Sequence, residues 1–194
     1  PTEGTVFVRQ PMVRYTHGNW SFSLENPETT ITPFRGGTRI QTDDNSLPDA
    51  TARYRWAQPW GYLSAGLLVR QLAYETTGTN AIDDSTVAVA GSFSGRFNFD
   101  PDNDIRFGVY GGGAIGRYIG LGVASDAMLD ADGSLEELDG IAGFIGYRHA
   151  FSPKTRFNIY YATSRYDNDV ALTGTGVTES VDSLSFNIFH TPTP

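Results

Sequence analysis

Apolar and polar residues alternate with a period of two along most of the chain, the pattern of β-strands with two unlike faces. Nine strands are predicted: 10–16, 20–25, 49–56, 62–74, 86–98, one starting at Asp104, 140–149, 156–164 and 183–190. In the fourth, Leu63, Ala65, Leu67 and Val69 alternate with Ser64, Gly66, Leu68 and Arg70. In the third, Ala50, Ala52, Tyr54 and Trp56 alternate with Thr51, Arg53 and Arg55. Helical periodicity is nearly absent. Residues 126–138 could support a helix, but they contain Gly133 in a polar segment and read as a loop with one short turn.

The predicted connections alternate without a break. Those after residues 16, 57, 99 and 150 are short; those at 26–47, 75–85, 118–139 and 166–182 are long. In an antiparallel meander every second connection lies at the same end of the sheet. One end therefore has tight turns and the other long loops, as in outer-membrane barrels with short periplasmic turns and longer extracellular loops. Aromatic residues gather near strand ends, most of them toward the tight turns: Trp20, Trp56, Trp60, Phe97, Phe99 and Phe151 are examples. An interfacial belt has that placement. The fold expected is all-β, an antiparallel transmembrane β-barrel meander, with residues 1–194 belonging to a single outer-membrane barrel domain. A soluble barrel or sandwich holding an apolar ligand would show the same alternation with its apolar face turned inward. The side on which Leu63, Leu67 and Val69 lie separates the two.

The strand count is odd, so the first and last strands of a meander run the same way and cannot close as an antiparallel pair. Bacterial single-chain barrels have even strand numbers, and an open edge in hydrocarbon leaves backbone groups unpaired. The chain begins at Pro1 rather than Met and ends on His-Thr-Pro-Thr-Pro rather than a terminal aromatic. The expectation is an internal part of a larger barrel.

Composition narrows the function. Acids number 22 against 14 basic residues, for a net charge of −8, which excludes a uniformly basic surface for nucleic acid. The absence of cysteine rules out disulfides, Cys-ligated zinc and iron–sulfur clusters. His17, His149 and His190 lack metal-ligand spacing. No apolar run reaches the length of a transmembrane helix, but a transmembrane strand needs only about 9–11 residues.

The basic residues are 13 arginines and one lysine. Arg14, Arg53, Arg55, Arg70, Arg96, Arg106, Arg148 and Arg156 fall on the polar strand faces, and all except Arg53 and Arg70 lie close to a short turn. The acids gather mostly in turns and long connections. If the apolar faces meet lipid, these eight guanidinium groups line the lumen and contact a permeating anion, because rings of charge select ions by sign and arginine grips carboxylates in a fork. Pairing with Glu25, Asp49 and Asp104 is the structural alternative. Two motifs tempt elsewhere. Gly111–Gly116 fits G-x-G-x-x-G, but Arg-Tyr-Ile-Gly-Leu-Gly follows instead of a helix. Asp100, Asp102 and Asp104 resemble the start of a calcium loop, yet Ile105 stands where glycine is required, and a turn at Pro101 explains them. Nothing marks a nucleophile, so no enzymatic activity and no cofactor are expected. A barrel enzyme or adhesin is the third alternative.

Residues 6–17 (VFVRQPMVRYTH), 47–68 (LPDATARYRWAQPWGYLSAGLL), 143–156 (GFIGYRHAFSPKTR) and 160–168 (YYATSRYDN) resemble the DcaP-like outer-membrane porin family, in matching order. The resemblance implies a homotrimeric channel of roughly sixteen strands in the outer membrane of a Gram-negative bacterium, surrounded by lipid and lipopolysaccharide. It further implies uptake of dicarboxylates and other small anions. The family's lumen arginines correspond to Arg14, Arg53, Arg55 and Arg70; Arg148 and Arg156 match through their position beside a turn. Some members carry an N-terminal periplasmic coiled-coil segment, which this chain does not show.

Overall fold

The computed structural model describes residues 2–79 and 81–192. Asn80, in the connection expected at 75–85, and Thr193 and Pro194 of the terminal segment lie outside the described residues.

In chain order the strands are β1 (Met12–His17), β2 (Trp20–Glu25), β3 (Thr29–Thr32), β4 (Ile40–Thr42), β5 (Asp49–Gln58), β6 (Gly61–Glu75), β7 (Asp83–Asn98), β8 (Asn103–Gly113), β9 (Ala127–Leu129), β10 (Leu135–Glu137), β11 (Asp139–Ser152), β12 (Thr155–Tyr166) and β13 (Ser180–His190). A short helix, α1, spans Val170–Thr173. Nine strands form one sheet in the order β1-β2-β5-β6-β7-β8-β11-β12-β13, and every neighbouring pair is antiparallel. These are the nine predicted strands. The sheet is open: β1 and β13 form its two edges.

The turns at 18–19, 59–60, 99–102 and 153–154 share one end of the sheet, the turn end. Gly18 adopts φ +56° at the first corner of the β1–β2 hairpin, a left-handed conformation that glycine reaches without steric cost. The connections 26–48, 76–82, 114–138 and 167–179 share the other, loop end. Connection 76–82 is shorter than expected, because β6 and β7 continue pairing out to Glu75 and Asp83.

The long connections are not disordered caps. β3, β4, β9 and β10 form a second, four-stranded sheet in the order β10-β9-β3-β4, and β3 pairs parallel with β9, joining connections 26–48 and 114–138. The stretch 126–138 is a β9–β10 hairpin around a turn in which Asp130 accepts from the Asp132 and Ser134 amides. This small sheet packs on the face of the large one that carries Arg70, Leu72 and Ala88. Ile31, Leu129 and Leu135 from the connections pack there in one cluster with Leu72 and Ala88. Ile115, Ile119 and Met128 cluster with Ala90, Ala142 and Tyr166 beside it. Burying each large aliphatic side chain contributes about 1.5–3 kcal/mol, which is what draws the connections onto that face. It is called the inner face below.

The outer face is the apolar one. Leu67 is 50% exposed, and Val13, Leu24, Val87, Phe93, Val109, Ile145 and Phe186 are exposed with it. A soluble sandwich requires these residues inside, and they are not. At the turn end the outer aromatics stack: Trp56 on Trp60, Trp60 on Phe97, and Phe97 on Phe99, with ring centroids 5.0–5.8 Å apart. An apolar surface of this extent is far larger than a soluble monomer exposes.

Candidate pore-lining site

Strand register puts all eight singled-out arginines on the inner face. Arg96 stands opposite Arg106, Arg148 opposite Asp104, Arg55 opposite Ser64, and Arg53 between Ser21 and Gly66. Arg14 pairs with Ser23, which in turn pairs with Thr51. Arg156 shares its face with Arg148 by alternation along β12. The cause is local: in a strand, residues two apart share a face, and the outer positions between these arginines are apolar. Their surroundings divide them into three groups.

Arg70 does not face open space. Its side chain is fully buried, with Nη1 2.9 Å from Asp126 Oδ1 and Nε 3.4 Å from Asp49 Oδ2. Nη1 donates to the Ala114 carbonyl at 2.8 Å, and Nη2 donates to the Glu28 carbonyl. The expectation that Arg70 contacts solute is therefore corrected: connections 26–48 and 114–138 cover it. Arg117, which the sequence did not single out, faces the same carboxylates from the loop side, 3.5 Å from Glu28 and 3.7 Å from Asp49. The Tyr118 hydroxyl lies 2.8 Å from Asp49 Oδ2 and 3.2 Å from Glu25 Oε2. Burial, with the Asp49 carboxylate next in effect, pushes the phenol of Tyr118 far above its usual range, so it stays a donor.

The second group surrounds one carboxylate. Buried Asp104 takes Arg96 Nη2 at 2.9 Å, Arg106 Nε at 2.8 Å and Arg148 Nε at 2.7 Å. Three cations on one anion leave a net charge of +2 on this patch of the inner face. The three guanidinium groups remain partly exposed, and Arg106 and Arg148, with Arg156, Asn158 and Asn187, line a cleft of about 520 Å³. The third group, Arg14, Arg53, Arg55 and Arg156, makes no ion pair among the described residues and is exposed. Arg55 rests on the Tyr62 ring at 3.9 Å, and Arg156 lies 4.8 Å from the Phe189 ring. The inner face is thus covered at its loop end and basic toward its turn end.

The whole chain superposes on 55% of the outer-membrane channel DcaP of Acinetobacter baumannii, with a TM-score of 0.81 and 19% sequence identity. The sheet has the fold of part of an outer-membrane channel. No protein-family model matches the chain, and no curated protein matches it by sequence. The chain spans little more than half the length of that channel, and at this identity the likeness is one of fold. The channel belongs to the type that the four sequence stretches resemble.

The other motifs have structural roles. Asp104 turns inward to the arginines, while Asp100 stays in the turn and accepts from the Asp102 amide and from Asn103 Nδ2. The Asn103 side chain, followed by that amide, holds the Asp100 carboxyl below its usual range. The three aspartates therefore do not converge on a cation. β8 runs straight through Gly111 to Gly113, and no helix follows. His149 Nδ1 is 2.8 Å from Asn103, and His190 Nδ1 is 2.9 Å from Thr155. Among the described residues no group of three His, Asp or Glu side chains is placed to hold a metal.

The sequence missed Arg117, Tyr118 and Asp126, because all three act from a connection with no periodicity. A weaker signal was present. Leu68, Leu72 and Tyr74 sit on the otherwise polar face of β6, where a lumen filled only with water would favour polar side chains.

Proposed function

We propose that this chain forms part of the wall of an outer-membrane porin that passes small anions, dicarboxylates among them, in preference to cations. One observation carries the reading: eight arginines share the face opposite an exposed apolar face, and four of them are unpaired among the described residues. With lipid against Leu67, Val69 and Phe93, these guanidinium groups stand in the water-filled interior. They stay protonated at any physiological pH and offer paired donors to a carboxylate. The pore is passive, without cofactor or covalent chemistry, and sits in the outer membrane of a Gram-negative bacterium, bounded by lipid and lipopolysaccharide. A sheet with two free edges closes there only with further strands, because unpaired backbone groups are costly in hydrocarbon. A barrel of about sixteen strands, assembled as a homotrimer, meets that need. The support for this closure is the fold likeness together with the four sequence stretches.

The selectivity test is reversal potential across planar bilayers containing the full-length protein under a salt gradient. Wild type is expected to be anion-selective. Changing Arg53, Arg55 and Arg156 together to Gln removes three unpaired cations without breaking an ion pair, so anion preference is expected to fall while conduction persists. Cation selectivity in wild type, or an unchanged triple variant, refutes the reading. Orientation has its own test. Protease sites inserted in 26–48 or 167–179 are expected to be cut on intact cells, and sites at 99–102 or 153–154 protected. The reverse pattern inverts the topology.

A further inference from the structure

We infer that Arg70 sets the size cut-off of the channel by fastening connections 26–48 and 114–138 as a fixed plug on the inner face. This rests on the porin reading above and adds a positioning residue to it. The guanidinium joins three otherwise separate pieces of chain. Asp49 starts β5; the Glu28 carbonyl belongs to connection 26–48; Asp126 and the Ala114 carbonyl belong to connection 114–138. With Arg70 itself on β6, the wall and both connections meet at one side chain.

The connections are also tied to each other at this point. Asp126 Oδ2 accepts from the Thr30 amide at 3.1 Å and the Thr30 hydroxyl at 2.8 Å, and the Asp126 amide donates to the Thr30 carbonyl at 2.8 Å. Asp126 Oδ1 accepts from the Arg117 amide at 2.9 Å. Thr32 donates to Ser125 at 2.9 Å. The small sheet is therefore one body, and Arg70 holds it to the wall. The apolar contacts between Ile31, Leu129 or Leu135 and Leu72 or Ala88 attract the plug without fixing its position, since the hydrophobic effect is non-directional. A planar fork with five donors does fix position. Where the plug stops, the open basic face begins, so the position of the plug limits the free cross-section.

This assignment separates two properties that are usually changed together. Arg70 is shielded from solute, so its loss is expected to alter how wide the pore is and leave its charge preference in place. Arg53, Arg55 and Arg156 are open to solute and are expected to do the opposite.

The test uses full-length protein carrying Arg70→Gln, with Asp126→Asn as a milder variant that leaves Arg70 paired with Asp49. Trypsin reports the plug without reference to conduction. The Arg117 side chain is 9% exposed in the folded protein, and cleavage after it requires the connection to open. Both variants are expected to be cut there faster, Arg70→Gln by about tenfold or more, because cleavage tracks the population of the open form. In planar bilayers, single-channel conductance is expected to rise and anions excluded by wild type to enter, with the reversal potential unchanged. If Arg70→Gln fails to insert, Asp126→Asn decides alone. Wild-type cleavage and conductance in every variant that inserts overturn the assignment. A wild-type protein that never conducts overturns the porin reading instead, and the cleavage rates then decide on the plug.

Discussion

Arginine in place of Leu67 is expected to cost about 2–4 kcal/mol of folding free energy in a lipid bilayer. Leu67 lies midway along β6, between Ala52 on β5 and Gly91 on β7, and its side chain is half exposed on the outer face. The small neighbours leave a guanidinium no polar partner on that face. Against water the same exchange would change stability by no more than about 0.5 kcal/mol, as for most surface substitutions. The size of the effect therefore decides what Leu67 touches. Equilibrium unfolding by denaturant from lipid vesicles measures it, with Leu67→Phe as the apolar control, expected near wild type. A loss for Leu67→Arg no larger than that of the control would mean that the outer face does not meet hydrocarbon, and the membrane orientation would be wrong.

Asp104→Asn is expected to lower stability by about 1–3 kcal/mol and to strengthen anion selectivity. The carboxylate is buried and accepts from Arg96, Arg106 and Arg148. Asparagine keeps one acceptor oxygen but directs an N–H₂ group toward a guanidinium, so at least one buried group goes unsatisfied, at the usual cost of about 1–3 kcal/mol. The partial exposure of the three arginines keeps the cost from being higher, because water can solvate the groups released. The electrostatic consequence has a definite sign. Removing one negative charge raises the patch from +2 to +3, and the reversal potential is expected to move further toward the anion limit. The Arg53, Arg55 and Arg156 variant moves it the opposite way. The shift should shrink in concentrated salt, where the Debye length is about 3 Å at 1 M. Movement toward cations on removal of Asp104 would mean that solute does not pass this patch.

The nine wall strands and the division of their faces were legible in the sequence because both follow from a period of two that each strand carries within itself. Leu63, Leu67 and Val69 alternate with Ser64, Gly66 and Arg70 whatever lies beside them, and antiparallel register then carries the alternation across the sheet. The inner placement of all eight arginines was determined in the same way. Which face meets lipid was not, since a soluble barrel has the same alternation. That needed the second sheet, which packs on the arginine face and leaves the apolar face bare.

The fate of each arginine belonged to tertiary structure. Arg70 and Arg53 look alike in sequence, each on the polar face of a strand of alternating residues. Arg53 is exposed, while Arg70 is buried under two connections whose own strands, β3, β9 and β10, are three or four residues long and too short to show a period. The partner Asp126 lies 56 positions from Arg70 along the chain, and Asp104 gathers arginines from three different strands. Strand periodicity is a property of neighbours two residues apart, and the sequence by itself determines it. The ionic partner of a buried charge depends on which distant segments the fold brings within a few ångströms, and only the assembled structure decides that.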